Sequence, residues 1–211
     1  MNADHPAVDA AVLTVELIAD PAVGRRWDEE STLAGYRIGG LAAHLARAVE
    51  TIPTYLESDA PGPDAALVDA PGYYAAVLGD HDPYDSDFHR AVRQRGESRV
   101  EEGHEALVAD VRSAAGWLGG HSLDLDRPVS VLAGTAMRCG DYLDTRLVEM
   151  LIHGHDLATS VGLDVPDYGD EAWGDVARLL SATTIVRHGA RASALSVARP
   201  TGGSAGAFTI R

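Results

Sequence analysis

Asp141-Tyr-Leu-Asp-Thr-Arg146-Leu-Val-Glu149-Met-Leu-Ile-His153-Gly-His-Asp156-Leu-Ala158 is the stretch whose reading decides the fold. Leu143, Leu147, Met150, Leu151 and Leu157 recur at helical spacing, which predicts a helix from near Asp141 to a glycine stop at Gly162. Glu149 and His153 stand at i, i+4 on one face of that helix, with Cβ atoms about 5–6 Å apart. A third candidate, His44, lies in another helical run, Gly40-Leu-Ala-Ala-His44-Leu-Ala. Two imidazoles and one carboxylate from two packed helices supply three ligands for a divalent metal and leave a position open. That is the ligand count of a catalytic zinc site. The plain alternative is an i, i+4 pair worth only about 0.2–0.5 kcal/mol to its helix, beside a core histidine that is simply hydrogen-bonded. The setting favours the metal: Leu147, Val148, Met150, Leu151 and Ile152 surround the pair, and polar groups buried without partners are costly.

Three neighbours join the candidate site. Asp156, three residues beyond His153, suits support of a liganding imidazole or a place as a fourth ligand. Arg146 shares the face of Glu149, as a salt-bridge partner of Glu149 or Asp156 or as an anchor for a substrate carboxylate; both readings stand. His155, two residues from His153, points to another face.

Outward from this helix, Val8, Val12, Val15 and Ile18 predict a helix that ends at Asp20-Pro21. Ile38, Leu41, Leu45, Val49 and Ile52 predict another over 38–57, kinked or divided at Pro53. Residues 59–81 read as a surface connection with a short helix near Tyr73–Leu78. One long helix is expected over 86–117, weakest at Gly96 and Gly103, ending at Gly119-Gly120. Residues 121–138 read as extended, with Pro128-Val-Ser-Val-Leu132 the β-like piece. A further helix is expected over 170–186. Ala194–Ala198 and Ala207–Arg211, flanking a glycine-rich turn, read as a hairpin or a disordered end. The sum is a mainly all-α chain built on a helix bundle.

With 211 residues and a 45% apolar content, a single soluble domain is expected. No signal peptide is recognisable and no apolar run has membrane-spanning length, so a cytoplasmic protein without membrane contact is expected. A net charge of −15 disfavours nucleic acid. The single cysteine, Cys139, excludes an internal disulfide and reads as a buried structural thiol, not a nucleophile. Arg93, Arg95 and Arg99 read as a solvated helix face, with an anion site as the other option. His81, His89, His104, His121 and His188 lack partners at ligand spacing and read as surface residues. No glycine-rich phosphate loop, Gly-x-Ser-x-Gly elbow or HExxH motif occurs.

The ordered pattern Trp27-x3-Ser31-x3-Gly35-Tyr36-x7-His44-Leu45, followed by Asp141-Tyr-Leu-x2-Arg146-x2-Glu149-x3-His153-Gly-x-Asp156-Leu157-Ala158, resembles the mycothiol-dependent maleylpyruvate isomerase family, a branch of the DinB-like metal-dependent bundles. The resemblance implies a DinB-like four-helix bundle over residues 1–165, with 166–211 as a short C-terminal extension of a helix and a possible small hairpin. It implies a divalent metal, usually zinc, held by His44 on the second bundle helix and by Glu149 and His153 on the fourth. Mycothiol is the implied cosubstrate, acting through a metal-bound thiolate on a small electrophilic metabolite in an isomerase or S-transferase, with Arg146 and Asp156 in the catalytic apparatus. A monomer or homodimer is expected. Tyr36 stands where the family usually has tryptophan, and Arg37 where it usually has a small hydroxyl residue. The competing functions are a thiol-independent hydrolase with a metal-activated water and a non-catalytic ligand-binding bundle.

Overall fold

A computed structural model describes residues 5–79, 87–131 and 135–198. Helix α1 (Pro6–Ala19) starts where the His5 side chain accepts from the Ala7 amide and stops at Asp20. Asp20 then caps α2 (Pro21–Arg25), its carboxylate accepting from the Ala22 amide at 2.7 Å. The buried face of α1 is Ala7, Ala10, Ala11, Thr14, Val15, Leu17 and Ile18, whereas Val12 is 51% exposed. Of the expected positions Val15 and Ile18 are buried, Val8 packs against the core and Val12 alone faces out; alanines complete the buried face and give α1 a close approach that larger side chains would prevent.

Helix α3 (Ile38–Leu56) buries Ile38, Leu41, Leu45, Val49 and Ile52 completely. Pro53 neither divides nor ends it. It lies in the last turn, where its missing N–H removes one ladder bond and the helix finishes within three residues. Helix α4 (Ala70–Leu78) is capped by Asp69, which accepts from the Gly72 amide at 2.8 Å. The expected long helix over 86–117 is two helices, α5 (Asp87–Ser98) and α6 (His104–Gly120), separated by a 3-10 turn at Val100–Glu102 and by Gly103 with φ 86°. Trp27 holds the break in place: its indole Nε1–H donates to the Val100 carbonyl at 3.0 Å.

Strands β1 (Pro128–Ser130) and β2 (Ala136–Arg138) form a small antiparallel pair with Val129 opposite Met137. Helix α7 (Cys139–Val161) carries the candidate residues and ends at left-handed Gly162. Helix α8 (Asp170–His188) leads through Gly189, φ 82°, into α9 (Ala190–Ala198). Residues 194–198 are therefore helical, not extended: alanine-rich Ala-Arg-Ala-Ser-Ala favours helix. The rest of the expected hairpin, 199–211, lies outside the described residues.

The bundle is a closed ring of neighbours, α3–α7–α1–α6–α3, as anticipated for a mainly α-helical chain. Ile18, Leu45, Leu107, Leu147 and Leu151 meet in its core. Helix α5 lies on α3, α4 lies between α7 and α8, and α9 packs on α8. Among the described residues no helix is long and apolar enough to cross a membrane.

The α3–α5 contact depends on glycine. A Cβ at Gly96 would stand 2.7 Å from the Gly40 carbonyl oxygen, which the α3 backbone cannot easily move. Gly96→Ala should destabilise the protein by about 1–3 kcal/mol through overpacking, less up to about 1 kcal/mol of helix propensity gained. A lowered urea midpoint at constant m-value is the expected reading; an unchanged midpoint would mean that α5 moves off α3 freely.

Candidate metal centre

The approach to α3 is built by the residues of the N-terminal motif. The Trp27 ring lies over Gly39, where a Cβ would come within 2.6 Å of it. The Ser31 hydroxyl donates towards the Tyr36 carbonyl at 2.9 Å, while its oxygen accepts from the Leu33 amide at 3.2 Å. Gly35 takes φ 86° to close the turn. Arg37 occupies the N-cap of α3 without a side-chain cap bond. Glu97 of α5 replaces the hydroxyl: it accepts from the Arg37 amide at 3.0 Å and from its Nε at 2.7 Å. The start of α3, and with it His44, is thereby fixed against α5 and the Trp27 ring.

His44, Glu149 and His153 meet between α3 and α7, with their ligand atoms all within 4.8 Å of one another. Glu149 Oε2 lies 3.5 Å from Nε2 of His44 and 3.5 Å from Nε2 of His153. The two imidazole rings stand edge-on, centroids 4.7 Å apart. All three side chains are about one-fifth exposed, so the point they share is open on one side. His153 Nδ1 is 3.1 Å from Asp156 Oδ2, so Nδ1–H donates to that carboxylate and Nε2 is left facing the shared point, where its lone pair becomes available to an ion once its own proton leaves.

Charge is tuned by these contacts. Burial alone would raise the Glu149 pKa, but hydrogen bonds from His153 and His44 hold it well below the usual carboxylate range. Burial likewise opposes a charged His153, yet the carboxylates of Asp156 and Glu149 outweigh it and raise this imidazole to about 9. Without an ion, the Glu149 and Asp156 carboxylates thus hold a protonated His153 between them, and an ion at Nε2 would take the place of its proton. A set of two imidazole nitrogens and one carboxylate oxygen could hold a divalent transition-metal ion.

A cavity of about 110 Å³ adjoins the triad, lined by His44 and Glu149 together with Arg47, Thr51, Arg95 and Arg146. The Arg146 guanidinium lies 5.2 Å above the Tyr142 ring centre, and its Nε donates to Thr145 Oγ1 at 3.1 Å. No ion pair joins Arg146 to a carboxylate among the described residues. Arg93, Arg95 and Arg99 do not share one solvated face. Arg95 lines the cavity, Arg93 packs on Gly35, and Arg99 is paired with Glu50 and Asp110 at 2.7 Å each.

The remaining sequence candidates separate clearly. His155, His121 and His188 are exposed. His104 is not a surface residue: it is half-buried against Trp27, with Nε2 2.7 Å from the Ile18 carbonyl. His81 and the His89 side chain lie outside the described residues. Cys139 is fully buried and its thiol is pushed up to about 11 by that burial, unlike a nucleophilic cysteine. Two neighbours of the triad carry no sequence signal of their own. Tyr74 sits in Pro71-Gly-Tyr-Tyr, which reads as punctuation, and Arg47 is one arginine on an amphipathic helix.

Fold and site together define a helical-bundle protein with a three-residue group that could hold a divalent ion. Residues 8–158 match the mycothiol maleylpyruvate isomerase N-terminal domain family, and the chain belongs to that family. No curated protein matches it. Two similar solved structures are the crystal structure of the mycothiol-dependent maleylpyruvate isomerase, at 16% identity and a TM-score of 0.46, and that of a histidine-to-alanine mutant of the isomerase, at 15% and 0.46. Each comparison covers 83% of this chain and 66% of the other, so the chain spans slightly less than two thirds of those proteins.

Proposed function

We propose that the protein is a metal-dependent enzyme that uses a low-molecular-weight thiol, mycothiol, to isomerise or conjugate a small electrophilic metabolite. The observation that carries this reading is the convergence of His44, Glu149 and His153 on one half-open point beside an arginine-lined cavity. In this reading these three residues hold the ion, within the bundle of residues 1–165, and 166–211 is an extension. A bound divalent ion, zinc by its donor set, would supply the positive charge that lowers the pKa of an incoming thiol.

The chain's own residues do the rest. Asp156 accepts from His153 Nδ1 and fixes the ring so that Nε2 faces inward. Arg146, with Arg47 and Arg95, draws a carboxylate-bearing electrophile into the cavity and orients it by paired N–H donors. In the isomerase outcome the thiol sulfur adds to a conjugated double bond, rotation follows about the resulting single bond, and the same C–S bond breaks to restore the thiol. In the transferase outcome the C–S bond is kept.

Titrating mycothiol into cobalt-substituted protein tests the reading. A near-ultraviolet thiolate-to-cobalt band is expected, at pH values below the ~8.5 of a free thiol. Cobalt binding without a band at saturating thiol would favour a hydrolase that activates water, and no cobalt binding would favour a non-catalytic bundle.

A further inference from the structure

Glu149 is held from outside the four-helix bundle. Helix α4 packs mainly along α8 and touches α7 more lightly, and from it Tyr74 reaches in to α7 and is 7% exposed. Its hydroxyl lies 2.9 Å from Glu149 Oε1 and 2.9 Å from the Thr145 carbonyl oxygen. A phenol has one proton for these two acceptors, and a carboxylate, being charged, makes the stronger bond. The two oxygens of Glu149 therefore have different surroundings: Oε1 faces Tyr74, and Oε2 lies 3.5 Å from both histidine Nε2 atoms.

We infer that Tyr74 is a positioning residue that occupies Oε1 so that Glu149 offers a single oxygen, Oε2, to a bound ion. This rests on the reading of the triad as a metal centre. A carboxylate free to turn can grip an ion with both oxygens and fill a position that a thiol or substrate would need. Tyr74 prevents that turn, and outer partners of this kind hold ligands in register.

The support for Tyr74 comes from chain beyond residue 158, where the family match ends. Helix α8 backs α4. Tyr168, just before α8, secures that layer to the bundle: its ring packs on Gly154, and its hydroxyl is 3.4 Å from Thr14 Oγ1 and from the Met150 carbonyl. The C-terminal helices thus contribute to the geometry of a site none of them enters.

The purely structural alternative is that Tyr74 only satisfies the Thr145 carbonyl. Tyr74→Phe separates the two, because it keeps the ring and removes the hydroxyl. Three readings are compared with wild type: cobalt affinity by chelator competition, the visible cobalt spectrum, and the thermal midpoint of metal-free protein. Expected are an affinity about 10–100-fold lower and a weaker visible band, as a two-oxygen carboxylate raises the coordination number. Wild-type affinity and spectrum in Tyr74→Phe would overturn the inference and leave the metal reading intact. So would an affinity loss with an unchanged spectrum and a lowered metal-free midpoint. Failure of the wild-type protein itself to bind cobalt would overturn both.

Discussion

His153→Ala should leave the protein unable to retain a divalent metal. Purified without added metal, the wild-type chain should carry about one ion per molecule, as a three-ligand site does, and the variant close to none. Loss of an outer-shell partner already costs about 10–100-fold in affinity; removing a ligand costs more, because one imidazole and one carboxylate remain. The proton competes for the same atom. The His153 imidazole is raised to about 9, above its ordinary value, so in metal-free protein its protonation stabilises the fold fully below about pH 6.5 and that contribution is lost as pH rises through about 9. Metal binding must expel this proton, so wild-type affinity should climb with pH until about 9 and level off above it. Elemental analysis of wild type, His153→Ala and His44→Ala, with circular dichroism to confirm folding, makes the comparison. Equal metal content in folded wild type and variants would remove the metal centre from consideration.

How much of this could be read from the sequence depends on how local each cause is. Helix α7 was legible because its apolar residues, its glycine stop and the i, i+4 pair all lie within one element. His44 was legible as a residue on a helix; its partnership with α7 came from the ordered family pattern, since packing between distant helices leaves no spacing signal. The division of α5 from α6 was not legible. Gly96 and Gly103 look equally weak in sequence, yet Gly96 stays helical to let α3 approach, while Gly103 takes a positive φ at the break. Only the Trp27 contact to Val100 and the crossing over Gly40 distinguish them. The buried face of α1 was legible only in part, at Val15 and Ile18, because alanine at positions 7, 10 and 11 contributes little to an apolar pattern but permits close packing. Tyr74 was invisible for the same reason as the α4–α8 layer: a phenol in a Pro-Gly segment acquires its partner only when two helices outside the bundle stack.

Arg146→Met should weaken use of a carboxylate-bearing electrophile while leaving the metal in place. Arg146 makes no hydrogen bond or ion pair with the three candidate ligands, although its charge helps to keep Glu149 ionised: its Nε donates to Thr145 Oγ1 and its guanidinium rests on the Tyr142 ring, with the cavity beside it. A hydrogen bond to a charged group contributes about 1.5–3 kcal/mol, or roughly 10–150-fold in kcat/KM. Ground-state binding of a carboxylate is uniform binding, so most of the change belongs in KM. With mycothiol and a carboxylate-bearing electrophile as the assay pair, Arg146→Met should show that loss at normal metal content. Arg146→Lys should recover only part of it, because an ammonium keeps the charge without the planar fork that matches a carboxylate. A methyl ester of the electrophile, lacking the anion, should be nearly indifferent to the change. If instead metal content falls with activity, or the ester suffers as much as the acid, Arg146 serves to stabilise Glu149 and the turn of α7 around Thr145, and the carboxylate must be recognised by Arg47 and Arg95 across the cavity.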